Sequence, residues 1–441
     1  MIDIEKFKTL GFNKSQIRQI EIGIKNHLSE EQINRYAKID YPARQMESIR
    51  EAIEYNLSDE QIEMFCEKRY SEEEVYEMLF GFHYGHLDVE DVKLFLKPVY
   101  SFSMQPIRTI LEKCKEGKFN KQQAFQIRLG LQHELPAKTI LKYAKPSYSF
   151  VKMLYMRLGY EHNLTEKQMD LLDTNTFSAE QLDEILSGFT HGLTFEQVQK
   201  YAKIKYTMPY MRHLRLAYEH GCTDEQVDFL INIIDDIYDW SIDPFEDNHT
   251  VSPYKTKTYV PEKSCDCGLC YVDDADTIAE IIKCFSIGLS IDDVEKMRQI
   301  SRMLSDIQLM RFALTRGYSF NDIEVLFPKD KYGAYSYDER DVLFHALNLH
   351  LSPKSLSLIA TSHLNTFQRI VILEGFLAGL TYKQVSVYAK PVYDHLQMFE
   401  LKTALLDGLS MEEVNQLANP RLSSIDMALK RTEILKTHSN N

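Results

Sequence analysis

Several features that would assign this chain to a common class of protein are missing from its sequence. No apolar run is long enough to span a bilayer, and the amino-terminal residues lack the basic and apolar segments of a secretory leader. These absences predict a cytoplasmic protein without membrane contact. The G-x-S-x-G, Walker-type glycine-loop and H-E-x-x-H motifs are also absent, and no cysteine pairs with a histidine at an informative spacing. We therefore expect a protein that is not an enzyme.

Basic character and cysteine are scarce as well. The formal net charge is −14, which argues against broad, nonspecific attraction to nucleic acid or to an anionic membrane, because both need a basic face. Seven cysteines are an odd number, and three of them fall within six residues. This distribution suits a reducing compartment and a metal site better than a disulfide framework.

What the sequence does contain is a repeated helix boundary, clearest in the stretch Gly188 to Ala202. Gly192 suits the left-handed residue that ends a helix, and Leu193 supplies the apolar contact that accompanies such an end. Thr194 and Gln197 have the spacing of a capping box at the start of the next helix. The stretch therefore predicts a helix end, a short turn and a helix start.

This boundary recurs at a fixed interval along the chain. Pairs of equivalent residues lie 29 residues apart, namely Leu28 and Leu57, Leu135 and Leu164, Leu164 and Leu193, Leu289 and Tyr318, Leu351 and Leu380, and Leu380 and Leu409. A fixed period of this size is typical of stacked repeats. The sequence predicts an all-α, right-handed α-solenoid of about twelve 29-residue helix-turn-helix repeats, with one shortened repeat near residues 100–118.

A small residue lies eleven positions after the residue that opens each repeat, an aromatic residue in most repeats, as at Gly23, Gly188 and Gly375. Glycine within a helix costs about 1 kcal/mol relative to alanine. We expect close approach of a neighbouring helix to offset this cost. In plan, the two-helix repeat resembles the HEAT and tetratricopeptide class, although its period is shorter and the tetratricopeptide Trp/Leu/Gly/Tyr pattern is absent. The resemblance implies a scaffold or binding surface.

One long interruption divides the predicted array. The sequence predicts an amino-terminal arm over residues 1–234, an acidic, cysteine-rich insertion over 235–276, and a carboxy-terminal arm with a capping helix over 277–441. The insertion has three prolines and no helical periodicity. It is expected to project from the array as a separate structured element.

The insertion contains the candidate metal ligands. Cys265, Cys267 and Cys270 place three thiolates close enough for one ion, and Zn²⁺ is the expected metal because it prefers sulfur and nitrogen ligands. Such a structural ion would help a small polar segment to fold. The fourth ligand stays open between His249, Asp266, Asp273 and Cys284, and Cys284 also fits a packed core position. Three reduced, unligated cysteines are the alternative.

Arginines recur nine residues into the repeats and form the second candidate site. We call them the arginine ladder, and the predicted members are Arg50, Arg128, Arg157, Arg215 and Arg311, with Arg108 nearby in the shortened repeat. On a concave face such a row would bind an acidic peptide, a phosphate chain or a protein. The alternative is that the arginines pair with acids of the adjacent repeat, such as Glu31, Glu60 or Glu166.

Three functions remain open from the sequence. The first is a non-enzymatic scaffold, adaptor or inhibitor that binds a protein, in one version a basic nucleic-acid-handling enzyme, with Trp240 and Asp239 of the insertion as anchors. The second is a nucleic-acid binder that uses the arginine ladder. The third is a metal-dependent hydrolase centred on the cysteines. The oligomeric state is left open.

Overall fold

A computed structural model describes residues 4–67, 70–240, 275–328 and 335–439 of the chain, without the side chains of residues 236–240 and 439. Across these residues there are 27 α-helices and one short 3-10 helix, Pro98–Tyr100, and no strand. The predicted all-α class is confirmed. In most pairs a helix of 12 residues is followed by a shorter one, and we call the two members of a pair the first and the second helix.

The chain forms two compact units, Met1–Lys205 and Tyr206–Asn441. The helices of the first unit are α1 (Ile4–Thr9), α2 (Lys14–Lys25), α3 (Glu30–Tyr36), α4 (Ala43–Glu54), α5 (Asp59–Glu67), α6 (Glu72–His83), α7 (Val89–Phe95), α8 (Met104–Lys115), α9 (Lys121–Gln132), α10 (Ala137–Tyr143), α11 (Phe150–Glu161), α12 (Glu166–Leu172), α13 (Ala179–Thr190) and α14 (Phe195–Tyr201).

The helices of the second unit are α15 (Met208–Glu219), α16 (Asp224–Trp240), α17 (Ala275–Ser286), α18 (Ile291–Ile300), α19 (Leu304–Thr315), α20 (Phe320–Glu324), α21 (Tyr337–Asn348), α22 (Pro353–Ala360), α23 (Thr366–Leu377), α24 (Tyr382–Tyr388), α25 (His395–Leu406), α26 (Met411–Leu417) and α27 (Ser424–Ser439). Within each unit, most first helices pack against a neighbouring first helix, as α21 does on α23 and α23 on α25, and first helices also pack against the second helix of their own pair.

The predicted helix boundaries are confirmed in detail. Gly192 has φ 88° and Asn163 has φ 56°, so both adopt the left-handed conformation at a helix end. Thr194 and Gln197 form the expected reciprocal capping box at the start of α14. The same box also begins the described first helices α2, α6, α9, α13, α21, α23 and α25, and α11 has the cap without the reciprocal bond.

The third residue of many first helices has a second role that the sequence analysis did not identify. In α25, the Gln397 side-chain oxygen accepts from the Asp394 N–H at 2.9 Å, while its amide nitrogen donates to the carbonyls of Pro420 and Leu422 at 3.1 and 2.6 Å. Equivalent bonds to the turn that ends the following second helix are made by Gln16, Gln123, Gln181 and Gln368. One amide therefore caps a helix and joins it to the next repeat.

The insertion does not separate the packing of the helices on either side of it. The α15 helix packs directly on α17 within the second compact unit, and the rings of Phe229 and Phe285 lie 6.2 Å apart in an edge-on arrangement. The α16 helix continues to Trp240, beyond the predicted boundary at residue 234. The two compact units meet in sequence at Lys205 and Tyr206, whereas the predicted arms meet at the insertion.

Candidate interaction surface

The arginine ladder lies between successive first helices. Arg50 of α4 donates from Nε to the Gln19 side chain of α2 at 3.2 Å and from Nη1 to Glu54 of its own helix at 2.5 Å. Its side chain is only 6% exposed. A buried guanidinium needs partners for most of its five N–H groups. Here α2 and the next turn of α4 itself supply them.

The same geometry repeats along the chain with a fixed separation. An arginine bonds the side chain 31 residues earlier in the pairs Arg50 and Gln19, Arg108 and Glu77, Arg157 and Gln126, Arg311 and Glu280, and Arg431 and Glu400. This separation is the 29-residue repeat plus two positions, which brings the residues together across adjacent first helices. The ladder therefore connects neighbouring repeats.

The partners of the ladder differ from those that the sequence suggested. Glu31, Glu60 and Glu166 lie on or at the start of second helices, whereas the guanidinium groups of Arg50, Arg108 and Arg157 lie between first helices, where they bond Gln19, Glu77 and Gln126. These three arginines pair with side chains of the protein itself, which was one of the two predicted alternatives. Their charges are enclosed, because each side chain is 6% exposed.

Three further predicted members are also bonded to carboxylates. Arg128 forms a bidentate pair with Asp91 of α7, from Nε at 2.7 Å and from Nη2 at 3.0 Å. Arg215 contacts Glu219 at 2.5 Å, and Arg311 contacts Glu280. Arg128 and Arg311 keep about a third and a quarter of their side chains exposed, respectively. Their role in binding a partner stays a prediction.

The predicted metal and insertion residues lie mostly beyond the described side chains. Cys265, Cys267, Cys270 and His249 fall outside the described residues, as do the side chains of Asp239 and Trp240 at the end of α16. Within the residues that the structure describes, no three His, Cys, Asp or Glu side chains are grouped to hold a metal ion. Cys284 is fully buried, and burial raises its thiol pKa to about 12. It therefore stays protonated in the core.

An exposed apolar surface, which the sequence analysis missed, lies on two packed first helices of the second compact unit. We call it the carboxy-terminal apolar face, and its members are Phe367, Ile370 and Leu377 of α23 and Leu396, Phe399 and Leu406 of α25. Phe367 is 64% exposed and Phe399 is 45% exposed. Contiguous apolar surface of this kind marks sites of interaction more often than scattered single residues do.

A groove between α21 and α23 includes the α23 part of this face. The groove is open to solvent and has a volume of about 650 Å³, and its lining includes Val342 and Leu373, which are both buried. One wall carries the apolar side chains of Phe367, Ile370 and Leu377 from α23, together with Glu374. The opposite wall, on α21, carries Asp338, Asp341 and His345. The groove therefore presents a mainly apolar side on α23 and an acidic side on α21 to a ligand.

The sequence contained a signal for this face. The first helices of ordinary repeats have one apolar stripe, whereas α25 has apolar residues on almost every side, including Leu396, Phe399, Leu401 and Leu406. A helix that is apolar all round must be covered on more than one side. In α25 the Leu401 side is covered by the fold, and the Phe399 side is open to solvent.

The chain matches no protein-family model, no curated protein and no solved structure with which it was compared. Over the residues that the structure describes, no helix has both the length and the apolar character needed to cross a membrane.

Proposed function

We propose that this protein is a non-enzymatic α-solenoid of about twelve helix pairs that binds another protein through its carboxy-terminal apolar face. The alternation of first and second helices, their packing on sequence neighbours and the repeated caps support the solenoid. The observation that carries the binding function is the exposure of Phe367, Ile370, Leu396 and Phe399 on two adjacent helices.

The energetics favour burial of this face. Covering an exposed phenylalanine or leucine side chain stabilises a complex by about 1.5–3 kcal/mol before the costs of association are subtracted. Aromatic residues at the centre of a face often dominate the binding free energy. A partner that covers both Phe367 and Phe399 would gain from two such anchors, which lie on helices already held in place by the fold.

The two alternatives are less well supported. A nucleic-acid binder that uses the arginine ladder needs accessible guanidinium groups, and those of Arg50, Arg108 and Arg157 are buried and bonded to side chains of the protein. A hydrolase centred on the cysteines depends on residues outside the described part of the chain. The proposed protein-binding role requires neither accessible ladder arginines nor the cysteines.

Affinity capture from the source cells with three forms of the full-length protein tests the proposal. The forms are the wild type, the double variant Phe367→Ser/Phe399→Ser and the control Phe102→Ser, in which a residue that is 99% exposed outside the face is changed. We expect a stoichiometric protein partner with the wild type and the control, and its loss with the double variant. Retention of the same proteins by all three forms would contradict the proposal.

A further inference from the structure

We propose that the groove between α21 and α23 binds an amphipathic α-helix of the partner protein, with its apolar face on α23 and a lysine- or arginine-bearing edge on α21. This inference rests on the proposed protein-binding function and adds the chemistry of the partner. It follows from the length of the groove, the spacing of its apolar side chains and the charge of its second wall.

The dimensions of the groove suit a short helix. Its walls run along two helices of 12 residues each, which corresponds to about 18 Å, or roughly three turns. Phe367 and Ile370 stand one turn apart on α23, and Leu377 stands about two turns further on. A ligand helix of similar length would place apolar residues at the same spacing, in the manner of helix-in-groove recognition.

The α21 wall sets the charge of the ligand. Asp338 and Asp341 are exposed, lie three residues apart and so stand on the same edge of α21. Asp338 has no ion-pair partner in the described part of the chain, and Asp341 is paired only loosely with His345, whose Nε2 is 3.6 Å from the carboxylate. Two carboxylates are therefore left for groups on the ligand.

The other charges near the groove do not compensate this wall. Glu374, on the α23 wall, is also acidic and is already paired with Lys402 at 2.5 Å. The whole chain carries a net charge of −14, so a second copy of this protein would approach against electrostatic repulsion. A basic partner segment is complementary to the groove and to the protein as a whole.

A display library of randomised helical peptides, selected on the full-length protein, tests the inference and requires no identified partner. We expect enriched peptides to carry apolar residues at i, i+3 or i+4, and i+7, with lysine or arginine along one flank. Selection on Phe367→Ser should lose this family of peptides. Absence of any enriched family, or enrichment of neutral or acidic flanks, would overturn the inference.

Charge variants of the α21 wall provide the matched comparison. With the best selected peptide, we expect Asp338→Asn/Asp341→Asn to weaken binding by about tenfold or more, and Asp338→Lys/Asp341→Lys to favour peptides with acidic flanks. An exposed acid away from the groove, changed as Glu31→Gln, should leave the affinity unaltered. Unchanged affinity in both aspartate variants would assign the groove to another kind of ligand.

Two further outcomes separate this inference from the proposed function. If peptides fail to bind but the captured partner still depends on Phe367 and Phe399, the protein-binding function stands and the basic helix is wrong. If light scattering shows a dimer that Phe367→Ser dissociates, the occupant of the face is a second copy of this chain. If capture of the partner did not depend on Phe367 and Phe399, both proposals would be wrong.

Discussion

The Tyr201 hydroxyl occupies the space in which a side chain on Gly188 would stand. Tyr201 is fully buried, and its hydroxyl donates to the Glu184 carbonyl at 3.0 Å, one turn before Gly188. A Cβ atom built on Gly188 would overlap this oxygen. The cost of a helical glycine is offset here by a hydrogen bond and by the packing of a large ring.

The same overlap recurs at a separation of 13 residues in Gly23 and Tyr36, Gly130 and Tyr143, and Gly375 and Tyr388. Where the small residue is alanine, the residue 13 positions later has no hydroxyl, as in Ala52 and Phe65 or Ala346 and Ile359. In these pairs the chain matches a glycine to a tyrosine and an alanine to a side chain without the additional oxygen.

Gly188→Ala is expected to destabilise the protein although alanine is the better helix former. Overpacking against the fixed Tyr201 ring costs roughly 3 kcal/mol, and the gain in helix propensity is about 1 kcal/mol. We expect a lower urea midpoint, measured by far-ultraviolet circular dichroism. In a Tyr201→Phe background, Gly188→Ala should leave the urea midpoint unchanged or raise it, because the overlapping oxygen is gone.

The opposite change provides the control for this pair. Ala52→Gly faces Phe65 and creates no hydrogen bond, so we expect a loss of about 1 kcal/mol from helix propensity alone. If Gly188→Ala were equally harmful with tyrosine and with phenylalanine at position 201, the hydroxyl would not be the reason for the glycine.

Arg157→Ala should be strongly destabilising. Arg157 joins α11 to α9 through Gln126 at 2.9 Å and bonds Glu161 at 2.5 Å, with a side chain that is 6% exposed. Removing the guanidinium leaves the partly buried Glu161 carboxylate with only the His133 ring, at 2.8 Å, as its partner, and breaking such a buried pair costs roughly 3 kcal/mol. The urea midpoint and its dependence on salt are the measurements, and we expect little change with salt because the pair is enclosed.

Arg44 provides an exposed arginine for comparison. Its side chain is 60% exposed, and it pairs with Glu47 at 3.2 Å and with Glu72 at 2.7 Å. Arg44→Ala should cost about 1 kcal/mol or less. If Arg44→Ala and Arg157→Ala lowered the free energy of unfolding equally, burial would not determine how much an arginine of the ladder contributes to stability.

Capping carboxylates should make part of the stability depend on pH. In α18, the Ser290 backbone N–H and the Ser290 hydroxyl both donate to Asp293, and these bonds hold its pKa below the ordinary value of 3.8. Because the folded pKa is lowered, this contribution is present above pH 3.8 and is lost as the pH falls through the folded pKa. Asp293→Asn should therefore lower the free energy of unfolding at pH 7, and this loss should become progressively smaller as the pH falls below 3.8.

The matched control is the neutral capping box of α14, in which Gln197 replaces the carboxylate. Gln197→Ala should lower the urea midpoint by a similar amount at pH 7 and at acid pH. If Asp293→Asn lowered the urea midpoint by the same amount at every pH, the charge of Asp293 would contribute nothing to the cap.

The sequence allowed local structure to be predicted better than surface and burial. Thr194, Gln197 and Gly192 have the predicted roles because helix caps depend on neighbouring residues in the chain. The need for close packing at Gly188 was also predicted, but the Tyr201 hydroxyl that meets it depends on how the second helix lies on the first. Spacing alone does not specify such a contact.

The candidate site was harder to predict for the same reason. Arg50 and Arg157 occupy equivalent positions, as the period indicated, yet the period does not say whether that position faces solvent or the next helix. Phe367 and Phe399 have the composition of core residues, and only the packed structure distinguishes them from buried neighbours such as Leu401. Burial follows from contacts between repeats.

Site-specific photo-crosslinking in the source cells shows directly whether a partner protein covers the carboxy-terminal apolar face. A photoreactive phenylalanine is placed at Phe367, at Phe399 and, as a control, at Phe102, which is 99% exposed and would react most by random collision. We expect positions 367 and 399 to crosslink to the same protein and position 102 not to crosslink to it. Equal crosslinking from Phe102, or no protein crosslinked from either position of the carboxy-terminal apolar face, would contradict the proposed protein-binding function.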